Sequence, residues 1–397
     1  MFDVSPLPGD PILALMAAYR ADASDKKVDL GVGVYQDDAG ATPVLQAVTG
    51  AEQRILEAQR TKSYVGIAGL DAFNDGMTRM LLGDSHSALV AGRVTTVQTA
   101  GGSGGLRVAG ELIASLRPDA TIWVTTPTWA NHQPLLSSTG LNLEPLRYYD
   151  SATGTLDGEG FLEDVRAIPE RDVILLHGCC HNPTGADLDQ SLWRQVASIC
   201  AERNILPFVD TAYQGFGRGL DADAEGVRML AEQVPELLAV SSCSKNFGLY
   251  RERTGALTAI TATASQAQAI RTHLMKITRS MISMPPDHGA RIVATILTDQ
   301  GLRDTWLDEL ATMRERMAAQ RRGFVSALEA HGLAERFAFV AEQSGMFSLL
   351  GIDKATIGKL REDWHVYIVG SSRVNVAGMT GSRVGYIAEA LAATIAA

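Results

Sequence analysis

Cysteine is scarce in this chain of 397 residues: there are four, with Cys179 and Cys180 adjacent, too few for a disulfide framework. A reducing, cytoplasmic setting is therefore expected. Basic residues are outnumbered, 35 Lys and Arg against 45 Asp and Glu, for a net charge of −10. That balance argues against a nucleic-acid partner, which needs a basic face, but leaves small anionic ligands open because local groups hold those. No run reaches 18 consecutive apolar residues, so no membrane-spanning helix is expected. The opening MFDVSPLPGD is acidic and proline-broken, unlike the basic-then-apolar start of a signal peptide. Internal repeats, low-complexity tracts and long charge runs are absent too.

What is present describes a well-cored globule. Hydrophobic residues make up 46% and charged residues 20%, and the length exceeds what one core usually serves, so two domains are expected. From about 94 to 260, short apolar runs alternate with amphipathic stretches: RVTTVQTA, TIWVTTP, DVILLHG, ILPFVD, LLAVSSCS and GALTAI read as strands. Continuous apolar strands followed by helices indicate a mostly parallel sheet covered on both faces, an α/β architecture. Residues 301–330 read as one long helix, followed by a strand-like RFAFVAEQSGMFSLL, a helix, VYIVG and a last helix. That tail reads as a smaller α+β domain, which the helical PILALMAAYRAD near the start would join. Pro6, Pro8 and Gly9 read as an extended arm.

In open parallel sheets, ligands bind beyond the carboxyl ends of the strands, and every unusual motif here falls there. GGSGG (101–105) opens a helix, so its backbone N–H groups suit a phosphate, although a structural glycine turn reads the same way. It lacks the spacing of a dinucleotide site and the lysine of a P-loop, which weakens NAD and ATP readings. Asp210 ends an apolar strand, as a helix cap or as the partner of a buried cation, and Tyr213 follows three residues later. Trp129 is either core or a flat surface for a ring. Arg373 is either a bidentate carboxylate clamp or half of a structural ion pair. HGCCH (177–181) is not expected to hold metal, because adjacent cysteines on a strand face opposite ways. In SSCSKNFGLYRERTG (241–255), Lys245 stands alone among small hydroxyl residues after a buried run. Desolvation there would lower its pKa toward the nucleophilic form.

These strings together resemble the fold-type I, pyridoxal-phosphate-dependent aminotransferases, most closely the class I aspartate and aromatic-amino-acid enzymes. The resemblance runs over nearly the whole chain, from DPILALMAAYRAD through LGVGVY, SYVGIAGL, GGSGGLRVA, PTWANH, HGCCHNPTG, AYQGFGRGL and SCSKNFGLYRERTG to RVNVAGM. It implies an arm over 1–9, a large cofactor domain over 43–312 and a small discontinuous domain over 10–42 and 313–397. Lys245 would bond the cofactor and later serve as the base. Asp210 would pair with the pyridinium nitrogen. Tyr213 and Asn182 would hold the ring's phenolic oxygen, Trp129 would stack on the ring, and Gly102, Ser103, Ser242 and Arg253 would hold the phosphate. The family is a homodimer with shared sites, so Tyr64 would reach the partner's phosphate and Arg279 the distal carboxylate of an acidic substrate there. Arg373 would clamp the α-carboxylate, helped by Gly33, Trp129 and Asn182.

The sequence departs from the aspartate-type pattern at three places. Ser103 stands where threonine is common, Met284 where asparagine is, and Gln36 where lysine is. An apolar Met284 near Arg279 suits a ring better than a carboxylate. Transfer from an aromatic amino acid to 2-oxoglutarate is therefore expected, with aspartate transamination as the alternative. A non-catalytic binding protein of the same fold is a third reading, against which Lys245, Asp210 and Arg373 argue together.

Overall fold

Seven strands build the central sheet of the computed structural model, which describes residues 2, 4–7 and 9–396. Positions 1, 3 and 8 of the expected arm, and residue 397, lie outside the described residues. In chain order the strands are β1 (Val94–Ala100), β2 (Thr121–Thr126), β3 (Asn142–Arg147), β4 (Val173–His177), β5 (Leu206–Thr211), β6 (Leu237–Ser242) and β7 (Thr254–Ile260). In space they run β1-β7-β6-β5-β4-β2-β3. The adjoining pairs are parallel except for β7, which is antiparallel to both β1 and β6. The carboxyl ends of β1, β2, β4, β5 and β6 therefore share one edge of the sheet, and the start of β7 joins them there.

The apolar runs are continuous because both sheet faces are covered. On β4, Val173 and Leu175 join a cluster with Leu106, Ile122, Phe208 and Val240, while Ile174 and Leu176 face Phe161, Trp193 and Val196. Each large side chain so buried contributes roughly 1.5–3 kcal/mol. Six of the strands match the expected runs. β3 carried no such signal because it is an edge strand on which only Leu146 is buried.

The long helix spans Gln300–Glu329 without a break. Trp306, Leu310, Met313 and Met317 pack into the cluster that holds Phe247 and Tyr213. Phe324 and Leu328 pack into another cluster with Leu30, Leu360, Val374 and Leu391. The boundary expected at 312/313 thus falls inside one rigid element that serves two cores. Residues from both chain ends meet in the second core: Val28–Asp29 pairs in parallel with Val366–Tyr367, and Phe347–Leu349 pairs antiparallel with Arg373–Asn375. The first helix, Pro11–Ala21, has no buried residue and rests on that region through Tyr19, edge-on to Tyr367.

One expected strand is largely helical. Of RFAFVAEQSGMFSLL only Phe347–Leu349 is extended, and residues 335–342 are helical turns. Phe337 and Val340 are buried there at helical spacing, three residues apart. Among the described residues no helix is long and apolar enough to cross a membrane.

Candidate active site

A cavity of about 200 Å³ opens at the shared strand edge. Asp210 reaches it from β5 and Lys245 from the turn just after β6. Asp210 is buried; one oxygen, Oδ2, accepts from His132 Nε2 at 3.1 Å, and the other, Oδ1, is buried with no partner. Burial pushes the carboxyl pKa up, but the hydrogen bond from His132 and the positive charge of Lys245 help to outweigh it and hold the group below its ordinary value. The side chain is therefore an anion with one oxygen left to receive a buried donor. The Lys245 ammonium is pulled down to about 8, by burial first and then by the positive charges of Arg253 and Arg373, against the opposing pull of Asp210. Near pH 8 a large share of this amine is neutral, the form that attacks a carbonyl.

The glycine run makes the other end of the cavity. The helix Gly101–Leu116 begins at the first of these glycines, not after the last, so GGSGG is the first turn of the helix itself. Its capping residue Ala100 offers no side-chain acceptor to the first N–H groups. Gly101 has φ +72, and a Cβ there would lie 2.6 Å from the Arg253 guanidinium, so only glycine lets that side chain close over the turn. A Cβ at Gly102 would come within 3.1 Å of Ser242. Gly102, Ser103, Ser242, Ser244 and Arg253 line this end together, a set of donors suited to a phosphate.

The third part of the site joins the sheet edge to the second core. Tyr213 is buried, its hydroxyl accepts from Asn182 Nδ2 at 3.3 Å, and burial pushes its pKa up. Lys245 Nζ lies 5.1 Å from the Tyr213 ring centre. Asn182 Oδ1 accepts from Arg373 Nη1 at 3.5 Å, and Arg373 Nη2 donates to Gly31 O at 2.9 Å. Arg373 is 8% exposed, its Nε has no partner, and burial lowers its pKa. None of its hydrogen-bond partners among the described residues is a carboxylate. Phe347 lies beneath its guanidinium, 4.3 Å from ring centre to Cζ. Gly33 is next to that ring: a Cβ on it would sit 3.4 Å from Phe347 Cζ. Trp129 lines the cavity, edge-on to the His132 ring.

Two expected site residues are not brought here. Tyr64 is 92% exposed in a segment without regular structure, and Arg279 is exposed on the helix Ala264–Ile282. Met284 is half-buried just beyond that helix, and Gln36 is tied by its carbonyl to Arg316. Other residues were missed. His132 holds Asp210 through Nε2, while its Nδ1 meets Thr128 Oγ1 at 2.8 Å, which in turn meets His177 Nε2 at 3.1 Å. Burial and the nearby His132 pull His177 down to about 3, so it stays neutral. The string PTWANH contained His132, but Thr128 lies in irregular backbone before the short helix that His132 opens, so no periodic signal marked this residue. Cys179 and Cys180 do not face opposite ways as strand neighbours would, since both lie past the end of β4 and Cys180 has φ +51. Cys179, Cys180 and Asp223 therefore bring ligand atoms within 4.8 Å of one another. The Asp223 carboxylate is already engaged, accepting from the N–H groups of Gly215, Gly217 and Arg218.

A family model described as aminotransferase class I and II matches residues 25–391. The aromatic-amino-acid aminotransferase of Pseudomonas aeruginosa is 47% identical over 98% of this chain and 97% of its own. The aspartate aminotransferase of Escherichia coli is 42% identical over the full length of both. Among solved structures, an aromatic-amino-acid aminotransferase from Burkholderia pseudomallei, covalently bound to pyridoxal phosphate, superposes with a TM-score of 0.97 at 39% identity, covering 99% of this chain and 98% of that one.

Proposed function

We propose the following reaction for this chain, which belongs to the class I and II aminotransferases: it moves the amino group of an aromatic amino acid to 2-oxoglutarate, yielding the aromatic 2-oxo acid and glutamate in two half-reactions with pyridoxal phosphate. The observation that carries this reading is the pairing of a lysine at about 8 with a buried aspartate that keeps one oxygen unpartnered. The donor set fits the cofactor on grounds of its own. Asp210 Oδ1 would receive the pyridinium N–H, and the uncapped first turn at Gly102 and Ser103, with Ser242 and Arg253, would hold the phosphate. Tyr213 and Asn182 would donate to the phenolic oxygen, and Trp129 would cover the ring. When bound, pyridoxal phosphate supplies an aldehyde that condenses with amines and a ring that accepts the electrons left by the departing Cα proton.

The chain's own groups do the rest. Lys245, increasingly neutral as pH rises through about 8, would hold the cofactor through its aldehyde carbon. Once the substrate amine replaces it, Lys245 would be the base that takes the Cα proton and delivers it to the carbon on the other side of the nitrogen. Asp210 is held below its ordinary pKa with His132 hydrogen-bonded to it, so it would keep a ring nitrogen placed against its free oxygen protonated. Arg373 takes the α-carboxylate, whose charge relieves a guanidinium that is otherwise desolvated without an anion. The exposure of Tyr64 and Arg279 supports a homodimer in which both reach the partner's site, and the four free cysteines support a cytoplasmic setting. The division into an arm, a large domain over 43–312 and a small domain over 10–42 and 313–397 belongs to the same reading.

A panel of amino donors with 2-oxoglutarate as acceptor tests the substrate. Phenylalanine or tyrosine should match or exceed aspartate in kcat/KM. A value for aspartate roughly a hundredfold higher than for either would move the protein to the aspartate branch.

A further inference from the structure

We infer that Asn375 is a positioning residue for the substrate carboxylate, fixing the loop around Gly33 against the Arg373 clamp. The inference rests on the reading of Arg373 given above. On the short strand Arg373–Asn375, residues 373 and 375 fall on one face, while Val374 turns the other way into the second core. Both residues on the shared face donate to the same loop. Arg373 Nη2 bonds Gly31 O at 2.9 Å, and Asn375 Nδ2 bonds Val32 O and Val34 O, each at 2.7 Å. Asn375 Oδ1 accepts from Ala377 N–H at 3.0 Å, and the side chain is wholly buried.

The two carbonyls held by Asn375 stand immediately before and after Gly33. The loop is pinned at its ends as well: Asn375 N–H donates to Leu30 O at 2.7 Å, and Tyr35 N–H donates to the hydroxyl of Tyr250, a cavity-lining residue, at 2.9 Å. Phe347 touches both parties, lying 3.4 Å from the Cβ position of Gly33 and 4.3 Å from the Arg373 guanidinium. A peptide rotation at Val32 or Val34 would therefore shift Gly33 relative to the clamp. The chemistry of position 375 is restrictive. Two carbonyls need two donors on a short stem, which an asparagine amide supplies; serine offers one donor, and aspartate would face both carbonyls with acceptors.

The test titrates the cofactor-loaded protein with 3-phenylpropionate, which is phenylalanine without its amino group, and measures KM and kcat for phenylalanine and glutamate. Asn375→Ala should weaken 3-phenylpropionate about tenfold or more and raise both KM values by a common factor, with kcat within about threefold. Asn375→Ser, which keeps one donor and serves if the alanine variant does not fold, should fall between. Arg373→Ala is the control for the underlying reading. If Arg373→Ala weakens the ligand and both Asn375 variants bind it as tightly as the parent, the positioning role is overturned. A fall in kcat at unchanged KM overturns it as well. If Arg373→Ala also leaves binding unchanged, the clamp itself is refuted.

Discussion

Two regions of the molecule treat buried charge in opposite ways. Behind the cavity, Arg321 is 1% exposed; its Nε is unpartnered like that of Arg373, and burial pulls its pKa down to about 10. Yet it makes five hydrogen bonds, to the carbonyls of Val340, Ser344, Gly345 and Phe347 and to Ser348 Oγ. Asp187 accepts from Cys180 N–H, His181 N–H and Ser344 Oγ. At the cavity the same residue types are left short: Arg373 has two hydrogen bonds, Asp210 has one oxygen unpartnered, and Lys245 is desolvated. Burying a polar group without partners costs free energy, and folding rarely retains that cost without a use. The compensated region holds the loops still, and the uncompensated region is where a ligand gains most by binding. The two meet at Phe347, whose carbonyl is held by Arg321 and whose ring supports Arg373.

The largest effect expected is at Lys245. Lys245→Ala should abolish transamination while the folded protein still takes up the cofactor through its phosphate end. Borohydride should fix the cofactor to Lys245 in the parent protein, and peptide mapping that finds it on another lysine would sink the assignment. The two arginines come next, and they test the contrast directly. Arg373→Ala should remain folded and lose on the order of a thousandfold in kcat/KM for every amino acid, as expected for a charge-assisted clamp. Arg321→Ala should do the reverse, costing at least about 3 kcal/mol of stability through its stranded carbonyls. Thermal melts beside steady-state kinetics decide this; a stability loss in Arg373→Ala as large as in Arg321→Ala would erase the distinction.

A smaller effect separates Arg279 from both. It is exposed on its own chain, and the role proposed for it is to meet a distal carboxylate in the partner's site. Arg279→Ala should lower kcat/KM for aspartate and glutamate by about tenfold to a hundredfold more than for phenylalanine. Equal losses for acidic and aromatic donors would contradict that role.

The uncompensated groups were legible in the sequence because strand ends are. Lys245 and Asp210 follow continuous apolar runs, and the parallel topology those runs imply puts their ends on one edge. Arg253 arrives there only because β7 runs antiparallel, so that its start, not its end, meets the site. His132 and Asn375 were not legible as site residues. Each acts through a contact far along the chain, His132 on Asp210 and Asn375 on Val32 and Val34, and periodicity carries no information about such pairs. The helix begins at Gly101 despite the poor helix propensity of glycine, because Arg253, Ser242 and the neighbouring strands leave no space for a side chain in its first turn. Residues 336–343 read as strand because an apolar run this short fits either period, and the packing of Phe337 and Val340 decided for helix.

The smallest effect is a shift in a titration midpoint, and it probes the uncompensated region most finely. In cofactor-free protein, trapping of pyridoxal on Lys245 with borohydride should speed up as pH rises, reach half its maximum near 8 and level off above that. An ordinary lysine would keep gaining until about pH 10.4. The sign follows from the depressed value: the unfolded chain holds the proton up to the ordinary range, the folded chain loses it near 8, so folding releases a proton between those limits. Stability of the cofactor-free protein should therefore increase with pH across that window, and Lys245→Ala should lose this component. Neighbouring charges set the midpoint in opposite directions. Asp210 raises it, so Asp210→Asn should move it down; Arg373 lowers it, so Arg373→Met should move it up. Two shifts of the same sign would mean that burial alone governs this amine, and the charges around the cavity would then have no part in tuning it.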